Sequence, residues 1–362
     1  MKLFVPRIAA VSVAALCLCN RSRAFSKLTF VASLVLFCAI GLLAPRPASA
    51  VITIDMVTVD NPGNAPDTEV MITDGTTGFG SVGSVYQIGK YEVTAGQYTE
   101  FLNAVADTDT YGLYNTAMGD PDGSLGAPDG SLGANIQQTG SSSNYSYSVA
   151  ADWADRPVNY VSFWDAAQFA NWLHNGQPIG PEGPGTTEDG AYHDVGNQTL
   201  FGRNAGVKFF IPTEDEWYKA AYHDKTAGLA ASYFDYPTGT NAVPGNDINE
   251  ATNSGNNANY YISNYAIGSP YYRTVAGEFE LSDSPYGTFD QGGNVWEWNE
   301  TAISTSRGMR GGPFLNGSFA LRAAVRGYNV PTYESLRVCP ETKTRELQGY
   351  LVLAIKRRLL IL

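Results

Sequence analysis

This sequence predicts a loop-rich fold in which short helices and short strands are mixed. Glycine (38 residues) and tyrosine (22 residues) are abundant, and charged residues make up only 16% of the 362 positions, a composition that disfavours a helical bundle. Three predicted helices each follow a short strand and begin at a capping residue. The hydrophobic content of 44% is enough to bury a substantial core.

The first elements are two strands and a capped helix. Residues 51–59 alternate apolar and polar side chains, which predicts an entry strand, and residues 84–93 predict a second strand. Thr94 then begins a helix, because Gln97 three residues later completes a capping box. Four apolar residues recur at the spacing of one helical face: Tyr98, Phe101, Leu102 and Val105.

Two further helices are predicted from the same device. Ser162 with Asp165 opens one helix, and Thr213 with Glu216 opens another. Capping and the helix dipole already explain both carboxylates, so we expect no catalytic role for Asp165 or Glu216.

A polar insertion at residues 107–150 contains a tandem duplication, Pro-Asp-Gly-Ser-Leu-Gly-Ala at 121–127 and again at 128–134. Two copies do not make a solenoid, so we interpret the insertion as a lengthened surface loop. Calcium binding by Asp122 and Asp129 is the alternative.

The region from residue 51 to residue 338 is expected to form one domain. Residues 180–206 and 226–272 are loop-like, but no charge run or hinge-like linker divides the region.

The first fifty residues form a predicted export signal. Basic residues precede an apolar run at 28–43, and Ala48-Ser49-Ala50 supplies a small-residue cleavage site. We therefore expect a secreted, periplasmic or cell-surface protein that begins at Val51. Retention of residues 28–43 as an uncleaved anchor is the alternative.

The exported protein would be strongly acidic. Residues 1–50 contain six basic residues and no acidic ones, so their removal changes the formal net charge from −12 to −18. This charge disfavours nucleic acid and anionic membrane surfaces as partners, and it is compatible with divalent cations.

Cysteine is confined to the two ends of the chain. Cys17, Cys19 and Cys38 lie in the leader and Cys339 lies in the tail, so no disulfide can form within residues 51–338. The tail, residues 339–362, is basic with an apolar end and is too short to span a bilayer. We interpret it as a frameshifted or degraded end, with a membrane anchor as the alternative. Membrane association therefore depends on the leader or the tail alone.

The segment from Tyr286 to Trp298 is the part of the chain that local propensity explains least. Its three glycines and two tryptophans are too irregular for an amphipathic helix and too glycine-rich for an ordinary strand. Asp290 and Glu297 flank a double glycine that can turn carbonyl oxygens inward, a donor set that suits calcium. A tight turn with solvated carboxylates is the alternative.

Ordered motifs in this chain resemble the formylglycine-generating enzyme family, also called sulfatase-modifying factors. The similar segments are Gly-Gly-Asn-Val-Trp-Glu-Trp at 292–298, Arg-Gly-Gly at 310–312, Leu-Arg-Ala-Ala-Val-Arg-Gly at 321–327, and three upstream stretches at 88–94, 157–163 and 211–217. They span about residues 84 to 335. The resemblance implies an α+β fold of C-type-lectin-like topology with much irregular structure.

The resemblance also implies calcium sites. The family builds one from a side chain ahead of the double glycine, two backbone carbonyls and the glutamate between the tryptophans, which corresponds to Asp290, Gly293, Val295 and Glu297. A second family site would use Asn259 and the carbonyl of Tyr260, and its acidic partner is not identifiable in the sequence.

The chain departs from the family at its catalytic centre. Family enzymes oxidise a cysteine of a sulfatase with molecular oxygen, using two cysteines that hold copper(I). Asn316 and Leu321 stand at or near those two positions, and neither side chain can supply a thiolate. We expect formylglycine synthesis and copper binding to be absent. A related histidine-iron oxidase chemistry is not expected either, since His174, His193 and His223 are the only histidines.

These observations favour an exported, calcium-stabilised binding or interaction protein, most simply a monomer. Its expected ligand cleft surrounds Trp298, Asn299, Asn316 and Ser318, whose aromatic and amide groups suit a peptide or a glycan. The alternative is an oxidoreductase of the formylglycine-generating type, or of altered chemistry, on the same scaffold.

Overall fold

All three predicted capping boxes are confirmed in the computed structural model, which describes residues 51–121, 132–249, 252 and 254–334. At the second box, Ser162 Oγ accepts the Asp165 N–H at 3.1 Å, and Asp165 Oδ2 accepts the Ser162 N–H at 2.7 Å. The helices in the described part of the chain are α1 (Ala95–Val105), the single turn α2 (Ala151–Ala154), α3 (Phe163–His174) and α4 (Glu214–Tyr222).

The strands are short and antiparallel. They form the pairs β1 (Met56–Val59) with β2 (Tyr86–Gly89), β3 (Ile136–Thr139) with β4 (Ser146–Val149), and β5 (Tyr192–His193) with β6 (Gly202–Arg203), together with a three-stranded sheet in the order β7 (Glu297–Ile303), β8 (Ser306–Arg310), β9 (Gly327–Asn329).

The predicted entry strand is shorter than its sequence pattern. Met56 pairs with Gly89 and Val59 pairs with Tyr86, so strand β1 ends where its four-residue partner ends. Residues 51–55 keep the apolar alternation but have no strand to pair with.

The main core surrounds helix α3. Eleven of its twelve residues are buried, and Phe169 and Trp172 pack against Phe101 of helix α1 with ring centroids 5.1 and 5.2 Å apart. Aromatic rings therefore supply much of the apolar contact between the helices.

Two arginines from the recognised motifs are buried together on Glu214 at the start of helix α4. Arg310 is 0% exposed and its Nη2 lies 2.7 Å from Glu214 Oε1, while Arg326 binds the other carboxylate oxygen. The Arg310 guanidinium also donates to the carbonyls of Ala323 and Val325. These arginines hold the end of the sheet against helix α4.

A long stretch between helix α4 and strand β7 lacks regular structure. Beyond a short 3₁₀ turn at Lys225–Ala227, its described residues up to 296 contain only isolated bridges, such as Asn259 with Gly293. The described residues thus form an α+β fold with few regular elements. None of their helices has the length and apolarity that crossing a bilayer requires.

The leader, Asp122 and Asp129 of the duplication, Cys339 and the tail lie outside the described residues.

Candidate functional site: a buried acidic cluster beside an aromatic surface

The glycine-rich segment ahead of strand β7 folds as a series of tight turns. Asp290 and Asn294 have left-handed backbone conformations, with φ of 59° and 49°, and Gly293 has φ of 100°. A Cβ at Gly293 would lie 2.4 Å from the carbonyl oxygen of Asn259. Only glycine fits this close approach of two backbone segments.

Of the two carboxylates that the sequence singles out, Asp290 lies in these turns and Glu297 is the first residue of strand β7. Asp290 Oδ2 accepts the Gly277 N–H at 2.5 Å, and Glu297 Oε2 accepts the Trp217 Nε1–H at 2.7 Å. Burial raises the pKa of Asp290 to about 7 and the pKa of Glu297 to about 8, against the effect of those hydrogen bonds. Ionising either carboxyl group in the folded protein is therefore costly unless a counter-charge is present.

Glu92 is a third carboxylate at this site, and sequence reasoning missed it. Its side chain is 4% exposed, Oε2 accepts the Asn294 Nδ2–H at 2.9 Å, and Oε1 has no hydrogen-bond partner among the described residues. Burial raises its pKa well above the ordinary value, and the charges of Asp290 and Glu297 add to this effect. Arg273 opposes the shift only in part.

One signal in the sequence could have identified Glu92. It lies in the motif stretch 88–94, and the capping box that follows uses Thr94 and Gln97 and leaves Glu92 unexplained.

Two buried asparagines connect this acidic cluster, defined as Glu92, Asp290 and Glu297, to its surroundings. Asn259 Nδ2 donates to Asn294 Oδ1 at 2.7 Å, and Asn259 Oδ1 has no partner among the described residues. The carbonyl of Tyr260, expected in a second cation site, accepts the Asn246 Nδ2–H at 3.2 Å. The structure thus brings Asn259 to the acidic cluster and gives the Tyr260 carbonyl a protein partner.

The oxygen atoms of this region fit calcium better than they fit a transition metal. Within the described ranges, no group of three His, Cys, Asp or Glu side chains is arranged to hold a metal by itself. Carbonyl and amide oxygens would have to complete the shell, which is ordinary for calcium. The carbonyls of Gly293 and Val295 accept no hydrogen bond from the described residues, and Glu92 Oε1 and Asn259 Oδ1 are buried without a partner.

The two positions expected at or near the family's thiolates have different environments. Asn316 is half-buried in the loop after strand β8, where its carbonyl accepts the Tyr261 N–H at 2.9 Å. Leu321 is 0% exposed, and its Cγ lies 3.4 Å from where a Cβ on Gly292 would be. An aliphatic side chain packed in this way leaves no ligand for a soft metal at that position.

The residues of the expected ligand cleft divide into an interior pair and a surface pair. Trp298 is 2% exposed and its Nε1–H donates to the Val161 carbonyl at 3.3 Å, while Asn299 is 0% exposed. Asn316 and Ser318 are half-buried at the surface. Trp298 and Asn299 therefore lie in the core and do not line an open cleft.

A cluster of aromatic rings adjoins Asn316. This cluster, the aromatic surface, consists of Tyr261, Tyr265, Tyr272 and Phe314. Tyr265 lies at the centre, with ring centroids 5.1 Å from both Tyr261 and Tyr272 and 6.1 Å from Phe314. Tyr261 is 42% exposed, so the cluster extends from the core to solvent. Sequence reasoning missed Tyr265 and Tyr272, whose loop gave no periodic signal.

The three histidines each have a local partner. His174 Nδ1 accepts the Lys208 N–H at 3.1 Å, His193 contacts Asp194 at 2.8 Å, and His223 contacts the Tyr286 hydroxyl at 2.8 Å. Burial lowers the pKa of His223.

The chain matches the family model described as the sulfatase-modifying factor enzyme 1-like domain over residues 60–338. Similar solved structures include the crystal structure of CarF (18% identity, 85% of this chain and 99% of that chain, TM-score 0.43) and Treponema denticola variable protein 1 (17% identity, 86% of this chain, TM-score 0.42).

 The alignment covers 99% of the Treponema denticola chain. The structure of PvdO from Pseudomonas aeruginosa is 15% identical, with 86% of this chain and 98% of that chain covered and a TM-score of 0.41. No curated protein matches the chain.

Proposed function

Because the chain belongs to the sulfatase-modifying factor enzyme 1-like family, with residues 60–338 matched, we propose that it is an exported, calcium-stabilised binding module without formylglycine-generating activity. The observation that carries the proposal is the acidic cluster, in which Glu92 places an unpartnered oxygen beside two other carboxylates in the protein interior.

Calcium has a physical reason to bind at this cluster. Burying a carboxylate without a counter-charge costs several kcal/mol or forces the group to take up a proton. Glu92, Asp290 and Glu297 all have raised pKa values for this reason. A bound calcium ion would supply the missing charge, with the carbonyls of Gly293 and Val295 as further oxygen ligands.

The residues at the positions expected for the thiolates support the proposed absence of the oxidase reaction. Asn316 offers an amide and Leu321 a buried aliphatic side chain, and residues 51–338 contain no cysteine. Copper(I) selects soft sulfur ligands, so these residues do not support its binding.

The proposed ligand site is the surface around Asn316 and Ser318, extended by the aromatic surface. The half-buried amide of Asn316 and hydroxyl of Ser318 lie near the exposed ring of Tyr261. Such groups suit a glycan or an extended peptide, which both present apolar faces and hydrogen-bonding edges. The predicted leader would deliver this surface to the outside of the cell.

Arrays of glycans and peptides test the proposal directly. We expect saturable binding by the purified protein in millimolar calcium, with Tyr261→Ala weakening it. Tyr328→Ala is the matched control, since Tyr328 is a similarly exposed tyrosine on strand β9 at 45% exposure. Equal binding by both variants would place the ligand elsewhere, and binding to neither array would remove the support for a binding module of this kind.

A sulfatase-motif peptide tests the rival function. After incubation with the purified protein, copper and oxygen, we expect its cysteine to remain unmodified by mass spectrometry. Time-dependent formation of the aldehyde would restore the oxidoreductase alternative.

A further inference from the structure

The acidic cluster and the aromatic surface are joined by a short series of hydrogen bonds. Glu92 Oε2 accepts the Asn294 Nδ2–H at 2.9 Å, and Asn294 Oδ1 accepts the Asn259 Nδ2–H at 2.7 Å. Asn294 is 0% exposed and Asn259 is 1% exposed, so water does not compete for these bonds.

Both asparagines also bind the backbone of the aromatic surface. Asn259 Nδ2 donates to the Tyr272 carbonyl at 2.9 Å, and the Asn294 carbonyl accepts the Phe314 N–H at 2.9 Å. The Tyr272 and Phe314 rings are stacked with centroids 5.8 Å apart. The Asn259 side chain and the Asn294 backbone therefore hold the two backbone positions from which this ring pair projects.

Thr274 adds two hydrogen bonds to this connection. The backbone N–H and the hydroxyl of Thr274 both donate to Asn294 Oδ1 at 3.0 Å. Asn294 Oδ1 thus accepts three hydrogen bonds. The other end of the same amide, Nδ2, donates to the Glu92 carboxylate, which helps to set the orientation of the side chain.

Long-range hydrogen bonds, such as those from Arg273 to the carbonyls of Leu132 and Gly133, help to position the loop that carries the tyrosines. Its described residues between 228 and 296 form no helix or regular strand, so side-chain hydrogen bonds replace a backbone ladder there. Segments held by few buried contacts open locally more easily than sheets and helices.

We propose that calcium at the acidic cluster orders the aromatic surface through Asn294 and Asn259, so that ligand binding depends on a metal ion that does not touch the ligand. This inference rests on the proposed function. Calcium holds the Glu92 carboxylate in place, and the carboxylate orients the Asn294 side chain. The two side-chain amides then anchor Tyr272 and Thr274, and the Asn294 backbone carbonyl anchors Phe314. Asn259 and Asn294 are positioning residues in this scheme.

Hydrogen exchange with calcium alone as the probe tests the coupling without knowledge of the ligand. Couplings between sites typically change an equilibrium by about 5- to 150-fold, so we expect exchange at the amides of Thr274 and Phe314 to be slower in calcium than in chelator by a factor in that range. Amides of helix α3, which packs in the main core and contains no residue of the acidic cluster, serve as the internal reference and should change less.

Asn259→Asp separates metal binding from the coupling. The variant keeps the side-chain Oδ1 and replaces the Nδ2 donor to Tyr272 and Asn294 by a second oxygen. We therefore expect it to retain metal, measured by terbium luminescence and calcium titration, and to lose the protection of Thr274. Asn264→Asp is the control, because Asn264 is an exposed asparagine of the same loop whose side chain donates only to the nearby Tyr265 carbonyl.

The outcomes separate the inference from the proposed function. Calcium that stabilises the protein but slows exchange at Thr274 and Phe314 no more than in helix α3 would overturn the coupling alone. Failure of calcium to bind or to stabilise the wild type would overturn the calcium part of the proposed function as well. An Asn259→Asp variant that binds metal and keeps full protection would show that Asn259 is not a positioning residue.

Discussion

At the scale of single residues, the site is defined by atoms that local sequence could only partly reveal. Asp290 and Glu297 were identifiable because they flank a double glycine and cap no helix. The proximity of Glu92 to them was not identifiable, because its contact with Asn294 spans 202 positions of sequence. Long-range proximity of this kind leaves no local periodic signal.

Gly293→Ala should destabilise the protein strongly. The new Cβ would lie 2.4 Å from the Asn259 carbonyl oxygen, and the φ of 100° already disfavours a side chain. Gly287→Ala is the matched control, because Gly287 has φ of 83° and no atom within 4 Å of its added Cβ. We expect backbone strain of about 1–3 kcal/mol in the control and a larger loss at Gly293, measured by urea unfolding. Equal losses would contradict the close approach.

The free energy of unfolding should fall as pH rises through the range in which Glu182 loses its proton. Burial raises its pKa to about 7 from a usual value of 4.5, with contributions from Asp109 and Glu188, against the N–H groups of Thr110 and Tyr111. The folded protein therefore keeps a proton that the unfolded chain releases above pH 4.5, and this stabilisation is lost as pH rises to about 7. Glu182→Gln should decline less steeply in urea unfolding across this window. Exposed Glu280→Gln should retain the wild-type slope, and an unchanged slope in Glu182→Gln would refute the assignment.

At the scale of elements, the helices were predictable because their start signals are local. Each capping box lies within four consecutive residues, and all three appear as predicted. The strands were less predictable, because a strand needs a partner that sequence order does not reveal. Strand β1 is shorter than its alternating pattern, and the two-residue strands β5 and β6 give almost no pattern.

Ser162→Ala should weaken the start of helix α3, on which the main core is built. The hydroxyl accepts the Asp165 N–H at 3.1 Å, and losing such a cap typically costs about 0.5–2 kcal/mol. The free energy of unfolding, from urea titration, provides the measurement. Thr199→Ala, at an exposed loop position, should stay within about 0.5 kcal/mol of the wild type. A cap variant as stable as that control would show that the box contributes little.

At the scale of the whole molecule, the family and the α+β fold were predictable from ordered motifs, since glycines, tryptophans and arginines at fixed positions build the same framework. Arg310 and Arg326 show why: both bind the buried Glu214 carboxylate, so replacing either would remove a charge-assisted hydrogen bond from the core. The surface was not predictable in the same way. Trp298 and Asn299 proved to be interior, and the exposed rings come from a loop without regular structure.

Thermal unfolding of the purified protein in chelator and in millimolar calcium tests the central claim most directly. If calcium binds the folded state alone at about 100 times its Kd, it adds about 2.7 kcal/mol, which corresponds to a rise in Tm of roughly 5–10 °C for a domain of this size. Glu92→Gln and Glu297→Gln should lose most of that rise, and Glu280→Gln, at an exposed position, should keep it. Identical melting of the wild type in both solutions would contradict a calcium-stabilised module.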